Sequence, residues 1–325
     1  MAGTAGTSSR TVSGPRVGVV RNPRSHRNRG HEPEAVNAAN VLTVAPQTRD
    51  ELATALAGFA EQGIELLVID GGDGTVRDVL TRGARVFGTQ WPKLAVLPKG
   101  KTNALAADLG LPRKWPLADA IDALSSTRTE IRRPMIVERT DRDDIHAMGF
   151  ILGGGVFNAA IDAGQVAHRY GAFQGFAVAV TAAFGIVQAL FGLGASPWRA
   201  LAPMRIATNP GDHEIPRSSH GGSGFRFACG MSTLGKFPLG MHPFGKAGSG
   251  IQYLVIDAPL RRVIALVPAL LMGLDRPYLQ RLGIHRGAAS EIALQLGGNF
   301  ILDGEAFPPG DYRLRQGPEL QFLVP

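Results

Sequence analysis

Residues 66–80 read Leu66-Leu67-Val68-Ile69-Asp70-Gly71-Gly72-Asp73-Gly74-Thr75-Val76-Arg77-Asp78-Val79-Leu80. The first four are apolar without interruption, as in a strand buried on both faces, while Val76, Val79 and Leu80 return at helical spacing. The turn between them is built of glycine and aspartate. Glycines there let the backbone turn tightly and bring amide donors close to a phosphate, and the helix N-terminus adds a partial positive charge. Asp73 in such a turn can hold a magnesium ion that bridges phosphates, accept a substrate proton, or serve only as an acidic residue at the helix start. The dinucleotide-binding spacing is not met, because Arg77 stands where its third glycine belongs.

Outward from this stretch the same alternation repeats. Val17–Val20, Val41–Val44, Glu65–Ile69 and Leu94–Leu97 are short apolar runs. Between the second and third, Leu52, Ala55, Leu56 and Phe59 mark a helix with Gly63 as its C-cap, and the helix after the third run is expected to end near Gly83. Strands alternating with helices predict parallel pairing and a three-layer α/β nucleotide-binding domain over residues 16–132. From residue 133 to 325 the runs Ile136–Glu138, Met204–Thr208, Phe225–Cys229, Ile251–Ile256 and Glu291–Leu296 are separated by Gly, Pro, Ser and Asn. That pattern predicts a β-rich sandwich domain, from which the last strand can return to the first domain. Residues 1–15 read as a flexible tail with no secretion signal. Ala172–Ala195 carries no charge and is long enough to span a bilayer, but four glycines interrupt it and no second span exists, so a buried or membrane-touching helix is expected.

Three more loops carry polar chemistry. Pro98-Lys99-Gly100-Lys101-Thr102-Asn103 follows a strand and opens a helix, Ala104–Leu109, so it would face the same crevice at the carboxyl edge of the sheet as the first loop. Asn103 or Thr102 could equally be a plain N-cap. Arg21-Asn22-Pro23-Arg24-Ser25, with Arg27 and Arg29 behind it, offers hydrogen bonds to a nucleotide and cations to phosphate, or an ordinary basic turn. Asp303-Gly304-Glu305 by itself reads as a hairpin turn.

Composition narrows the classes. Glycine and proline, 42 and 22 of 325 residues, make up about a fifth of the chain against roughly 12% on average, so loops are abundant. Charged residues are only 19%, yet 34 Lys and Arg against 27 Asp and Glu leave a net charge of +7. A folded protein with a basic excess suits phosphate, nucleic acid or an anionic membrane. Aromatics at 7% are not interleaved with the basic residues, which argues against nucleic acid. Cys229 is alone, so no intrachain disulfide or cysteine-cage zinc site exists, and a reducing, cytoplasmic setting is expected. No histidine pair has zinc-ligand spacing and no serine lies in a G-x-S-x-G turn, which leaves hydrolase readings without support.

Taken together and in order, NPRS after the first strand, GGDGT after the third, PKGKTN after the fourth and DGE near the C-terminus resemble the diacylglycerol kinase catalytic-domain family of lipid kinases. The resemblance covers residues 16–325. It implies Mg-ATP as cofactor, a lipid substrate, and phosphoryl transfer in a cleft between the two domains. By position, Asn22, Arg24, Arg169 and Asp303 would serve the nucleotide side. Gly71, Gly72, Gly74 and Thr75 would cradle phosphates, and Gly100, Lys101, Thr102 and Asn103 would close the other side. Asp73 would serve the metal or the acceptor hydroxyl, and Glu305 would be the general base or its partner. Asn103-Ala104-Leu105-Ala106 is similar to the sphingosine kinase version of the loop, which points to a sphingoid lipid, ceramide or sphingosine, or to diacylglycerol. Lys101 and Ala104 stand where the family usually has Thr and Asp, Asn158 where an acidic residue is common, and Ser249-Gly250 where many bacterial members have Asp-Gly. Peripheral association with an anionic membrane surface follows from such a substrate. A kinase of a soluble acceptor such as NAD, and a lipid-binding protein without turnover, are the other two readings of these residues.

Overall fold

The computed structural model describes residues 14–32, 34, 40–126, 128–142, 146–156, 199–209, 213–246 and 248–325. Strands β1 (Val17–Arg21), β2 (Val41–Val44), β3 (Leu66–Gly71) and β4 (Lys93–Pro98) run parallel in the order β2-β1-β3-β4. The Val, Ile and Leu runs of β1, β3 and β4 are buried on both faces, as a parallel sheet covered by helices requires, while the edge strand β2 is only partly buried. Helices α1 (Arg49–Glu61) and α2 (Asp73–Phe87) cover one face, through Leu56, Phe59, Val76 and Leu80. After the short α3 (Ala104–Asp108), α4 (Leu117–Ser126) covers the other face through Leu117, Ala120 and Ala123. Strand β5 (Thr129–Arg132) follows. Thr48 caps α1 by accepting from the Glu51 amide at 3.1 Å, and Gly63 beyond its end has φ +59°.

Helix α2 does not end at Gly83. It continues to Phe87 and stops at Gly88, whose φ is +55°. Gly83 lies instead on the packed face, where a Cβ would come within 2.6 Å of the Trp91 ring. The glycine there answers a close approach rather than a chain reversal.

The second half forms two antiparallel sheets. One contains β6 (Met135–Arg139), β7 (His146–Gly149), β9 (Ala202–Asn209), β10 (His213–Glu214), β11 (Phe225–Arg226), β15 (Glu291–Leu296) and β18 (Gly310–Gln316), in the order β10-β9-β15-β18-β6-β7 with β11 also on β9. The other contains β8 (Ile151–Gly155), β12 (Ala228–Ser232), β13 (Ile251–Ile256), β14 (Ile284–Ala289), β16 (Phe300–Leu302) and β17 (Glu305–Phe307), in the order β14-β13-β12-β8-β16-β17. Met135, Val137, Ile206, Met231, Val255, Leu294, Phe300 and Leu314 fill the space between them. Helices α5 (Arg261–Leu271) and α6 (Tyr278–Arg281) cover the outer face of the second sheet through Val263, Ile264, Leu270 and Leu279. The apolar run Phe225–Cys229 is not one strand. Phe225 and Arg226 pair with β9, Ala228 onward pairs with β8 and β13, and the chain changes sheet at Phe227.

The final strand, β19 (Leu320–Leu323), leaves the sandwich and inserts in the first sheet, parallel to β4 and antiparallel to β5. The fold is therefore an α/β domain with a parallel sheet joined to an antiparallel β-sandwich, as the pattern of runs predicts. Ala172–Ala195, Asn158 and Arg169 lie outside the described residues. Among the described residues no helix is long and apolar enough to cross a membrane.

Candidate active site

The loops after β1, β3 and β4 meet at one edge of the parallel sheet. In the first, the Asn22 Oδ1 accepts from the Arg24 amide at 2.9 Å while its Nδ2 donates to Thr75 Oγ1 at 2.9 Å, tying this loop to the start of α2. Arg21 is buried beside Asp70 at 3.5 Å and also donates to the His31 carbonyl. Asn28 completes the cluster by donating to Asp70 Oδ1 at 3.1 Å. Burial raises the Asp70 carboxyl, and the Asn28 bond opposes the rise. Two of the polar residues in this segment thus fold the loop rather than face outward.

The second and third loops touch. A Cβ on Gly72 would lie 2.7 Å from the Gly100 Cα, and a Cβ on Gly100 would lie 2.7 Å from the Gly72 Cα. Gly100 is held by Asn103, whose Oδ1 accepts its amide at 2.7 Å and whose Nδ2 donates to its carbonyl at 3.0 Å. Asn103 sits at φ 52°, ψ 52°, a left-handed conformation that asparagine tolerates. It precedes α3 without capping it. Asp73 does that work from the other loop, with its Oδ1 accepting the Leu105 amide at 3.3 Å. At the start of α2, Gly72 has no side chain with which to cap the helix, and its carbonyl accepts the Thr75 and Val76 amides at 2.9 and 3.0 Å.

From the sandwich comes the hairpin between β16 and β17. Asp303 and Gly304 have φ +44° and +84°, the two positive values a two-residue type I′ turn demands. The Asp303 carboxylate accepts the Phe150 and Ile151 amides, each at 2.9 Å. Burial raises its carboxyl, the Asp73 charge raises it further, and it is pushed up to about 7. Burial likewise raises Asp73, against the amides at the α3 N-terminus. The two carboxyls face a cavity of about 600 Å³ lined also by Asn22, Gly72, Gly74, Thr75, Gly100, Lys101, Thr102, Ile151 and Gly153.

Glu305 is not on that wall. Its carboxylate takes the Arg77 guanidinium and lies 2.5 Å from Arg49 Nη2, and Arg77 Nη2 also reaches Asp78 Oδ1 at 2.9 Å. Arg24 lines a smaller adjoining groove of about 240 Å³ with Gln47, Thr48 and Arg49. Gly71 lies under Thr75, where a Cβ would meet that side chain at 2.5 Å. The structure thus brings Asn22, Gly72, Asp73, Gly74, Thr75, Gly100, Lys101, Thr102 and Asp303 to one cavity, with Arg24 and Glu305 beside it.

Arg77, Asp78 and Arg49 were not foreseen. Arg77 left a trace in the sequence, since it falls four residues after Asp73 on the stripe that holds Val76 and Leu80, and a cation on an apolar face needs a buried partner. Arg49 left none, because its partner Glu305 is 256 residues away. Among the described residues no three or more His, Cys, Asp or Glu side chains gather to hold a metal. Burial pushes the Cys229 thiol up to about 12, so it is no nucleophile.

Residues 16–137 match the diacylglycerol kinase catalytic domain. Three solved structures from Bacillus anthracis str. Sterne share the fold, each covering 96% of this chain and 97% of their own. Two, provisionally named diacylglycerol kinases, superpose with TM-scores of 0.66 and 0.65 at 13% and 14% identity. A third, named a diacylglycerol kinase, has a TM-score of 0.61 at 12% identity. No curated protein matches the chain. The match to the diacylglycerol kinase catalytic domain supports a phosphotransferase with an alcohol group as acceptor. Over residues 16–137 the chain is similar to the diacylglycerol kinase catalytic domain, and across its length it shares the fold of the three Bacillus anthracis structures.

Proposed function

We propose that this protein transfers the γ-phosphoryl group of ATP to the primary hydroxyl of a lipid, either a sphingoid lipid (ceramide or sphingosine) or diacylglycerol. The observation that carries this reading is the single cavity shared by the two glycine loops of the α/β domain and the Asp73 and Asp303 carboxyls, one from each half of the chain. The residues fit the nucleotide. Gly74 leaves its surroundings open, with a Cβ finding only the Asp303 carbonyl at 3.9 Å, and the first turn of α2 and Lys101 supply donors for phosphate oxygens. Two carboxylates with hard oxygen donors suit magnesium, which keeps several waters and takes the rest of its shell from phosphates. Magnesium when bound would neutralise charge on the phosphoryl oxygens.

A lipid hydroxyl is a poor nucleophile, so a carboxylate must take its proton as the new oxygen–phosphorus bond forms and the bond to the β-phosphate oxygen breaks. Glu305, by the family resemblance, is the base or its partner. Here two arginines engage it, which suits a positioning role for the hairpin. Asp303 has both carboxylate oxygens on the Phe150 and Ile151 amides, so Asp73, which the resemblance gives to the metal or the acceptor hydroxyl, is the other candidate for the proton. The test is transfer of radiolabelled phosphate from ATP by the purified chain across diacylglycerol, ceramide, sphingosine and NAD. Product is expected with a lipid, falling by about a hundredfold or more in Asp73→Asn, and Glu305→Gln is expected to abolish it with the fold intact. Product with NAD alone would overturn the reading.

A further inference from the structure

Beside the cleft, Lys236-Phe237-Pro238-Leu239-Gly240-Met241-His242 forms a single 3-10 turn at Pro238–Gly240. Leu239 at its tip is 90% exposed and has φ 61°, ψ 20°. A bulky apolar residue is rarely found in this left-handed region, and here it holds its side chain in water. Folding gains nothing from that arrangement. The His242 amide donates to the Leu271 carbonyl at 2.7 Å, which brings the end of α5 alongside the same loop. There Leu271 and Met272 are exposed as well, Met272 at 64%. Two separate segments therefore present large apolar side chains on one part of the surface.

Behind Leu239 an apolar groove of about 800 Å³ runs between α3 and this loop, past Leu111, Ile151, Phe237 and Met241. It continues into the cleft, sharing Lys101, Thr102 and Ala104 with it. The charged side chains that line it are Arg27, Lys101 and Arg113, all cations, and Lys236 and Lys246 stand exposed on the loop itself. Two acids come close to the loop, and both have cationic partners: Asp275 near Gly245 is drawn towards Arg286, and Asp108, which accepts the Lys236 amide at 2.6 Å, is buried against Arg132.

We propose that loop 236–246 and the C-terminal end of α5 form a docking tip that places Leu239 and Met272 in the interface of an anionic lipid bilayer. Exposed apolar tips with a cationic surround match the two attractions of such a surface, burial of apolar area and charge. The groove then lies between the bilayer and the phosphate-facing loops. The purpose of the tip rests on the lipid kinase reading, while its existence does not.

Flotation of the full chain with phosphatidylcholine vesicles, and with equimolar phosphatidylcholine and phosphatidylglycerol, tests it. Binding is expected to the mixed vesicles, to weaken with salt, and to fall about tenfold in Leu239→Gly and again in Met272→Ser, since each removes one buried apolar side chain. Leu239→Gly relieves the backbone, so its melting temperature should hold or rise, which separates lost docking from lost folding. Wild-type levels of vesicle binding in both variants would overturn the proposal, as would no binding by the unaltered chain. A Leu239-dependent dimer without vesicle binding would also overturn it and assign the patch to a second copy. Leu239-dependent vesicle binding without phosphate transfer to any lipid would sink the kinase acceptor and leave the docking tip standing. Transfer to a water-soluble short-chain lipid without vesicle binding would do the reverse.

Discussion

Asp303 shows how one residue can carry two duties. Its carboxylate fixes the hairpin by accepting the Phe150 and Ile151 amides, and burial, reinforced by the Asp73 charge, makes it reluctant to ionise. The folded carboxyl is near 7 against an ordinary 3.8, so the folded chain holds this proton more tightly than the unfolded chain. The resulting stability is fully present below about pH 4 and is lost as pH rises through about 7, a difference on the order of 4 kcal/mol. Asp73→Asn removes the repelling charge and a second raised carboxyl. In buffer with a chelator, its thermal midpoint should therefore fall less than that of the unaltered chain between pH 5 and pH 8. Parallel pH dependence of the two proteins would show that the carboxyls do not interact.

At the scale of elements, the two strand-to-helix loops work as a pair, and their glycines are not equivalent. Gly72 and Gly100 are needed because the loops meet backbone to backbone. Gly74 has ordinary space around it and lies in the first turn of α2. Gly72→Ala should lower stability by about 1–3 kcal/mol, as overpacking does. Gly74→Ala should keep the melting temperature, or raise it because alanine is the better helix former, and yet weaken binding of an ATP analogue measured by calorimetry. Unchanged nucleotide affinity in Gly74→Ala would move the phosphates elsewhere. The glycines themselves are plain in the sequence, and so is their place after a strand. Their division of labour is not, because it depends on how near the third loop comes. Gly83 makes the same point: a glycine in a helical pattern reads as a stop until Trp91 is seen beside it.

Across the whole molecule, the two halves are interlocked by the last strand. Leu320, Phe322 and Leu323 of β19 are fully buried between β4 and β5, after the chain has completed the sandwich. Three such side chains contribute on the order of 6 kcal/mol, comparable with the net stability of a domain. A chain ending at Gln316 should therefore lose the cooperative melting of its α/β domain, and a fragment of residues 14–132 should not fold alone. Circular dichroism and limited proteolysis would measure both; a fragment that melts cooperatively would mean that the sheet does without its last strand.

The sequence by itself determined the layers and the loops. Period-two and helical spacings reflect local burial, and a glycine turn after a strand carries its own geometry, so NPRS, GGDGT, PKGKTN and DGE could be placed on the carboxyl edge and on a hairpin before any contact was known. Only the tertiary structure decided which carboxylates share the cavity. Asp303 faces Asp73 across it while Glu305, two residues on, turns to Arg49 and Arg77. That choice rests on a hairpin register and on partners more than 200 residues apart, and pairings at such distances leave no periodic trace in a single chain.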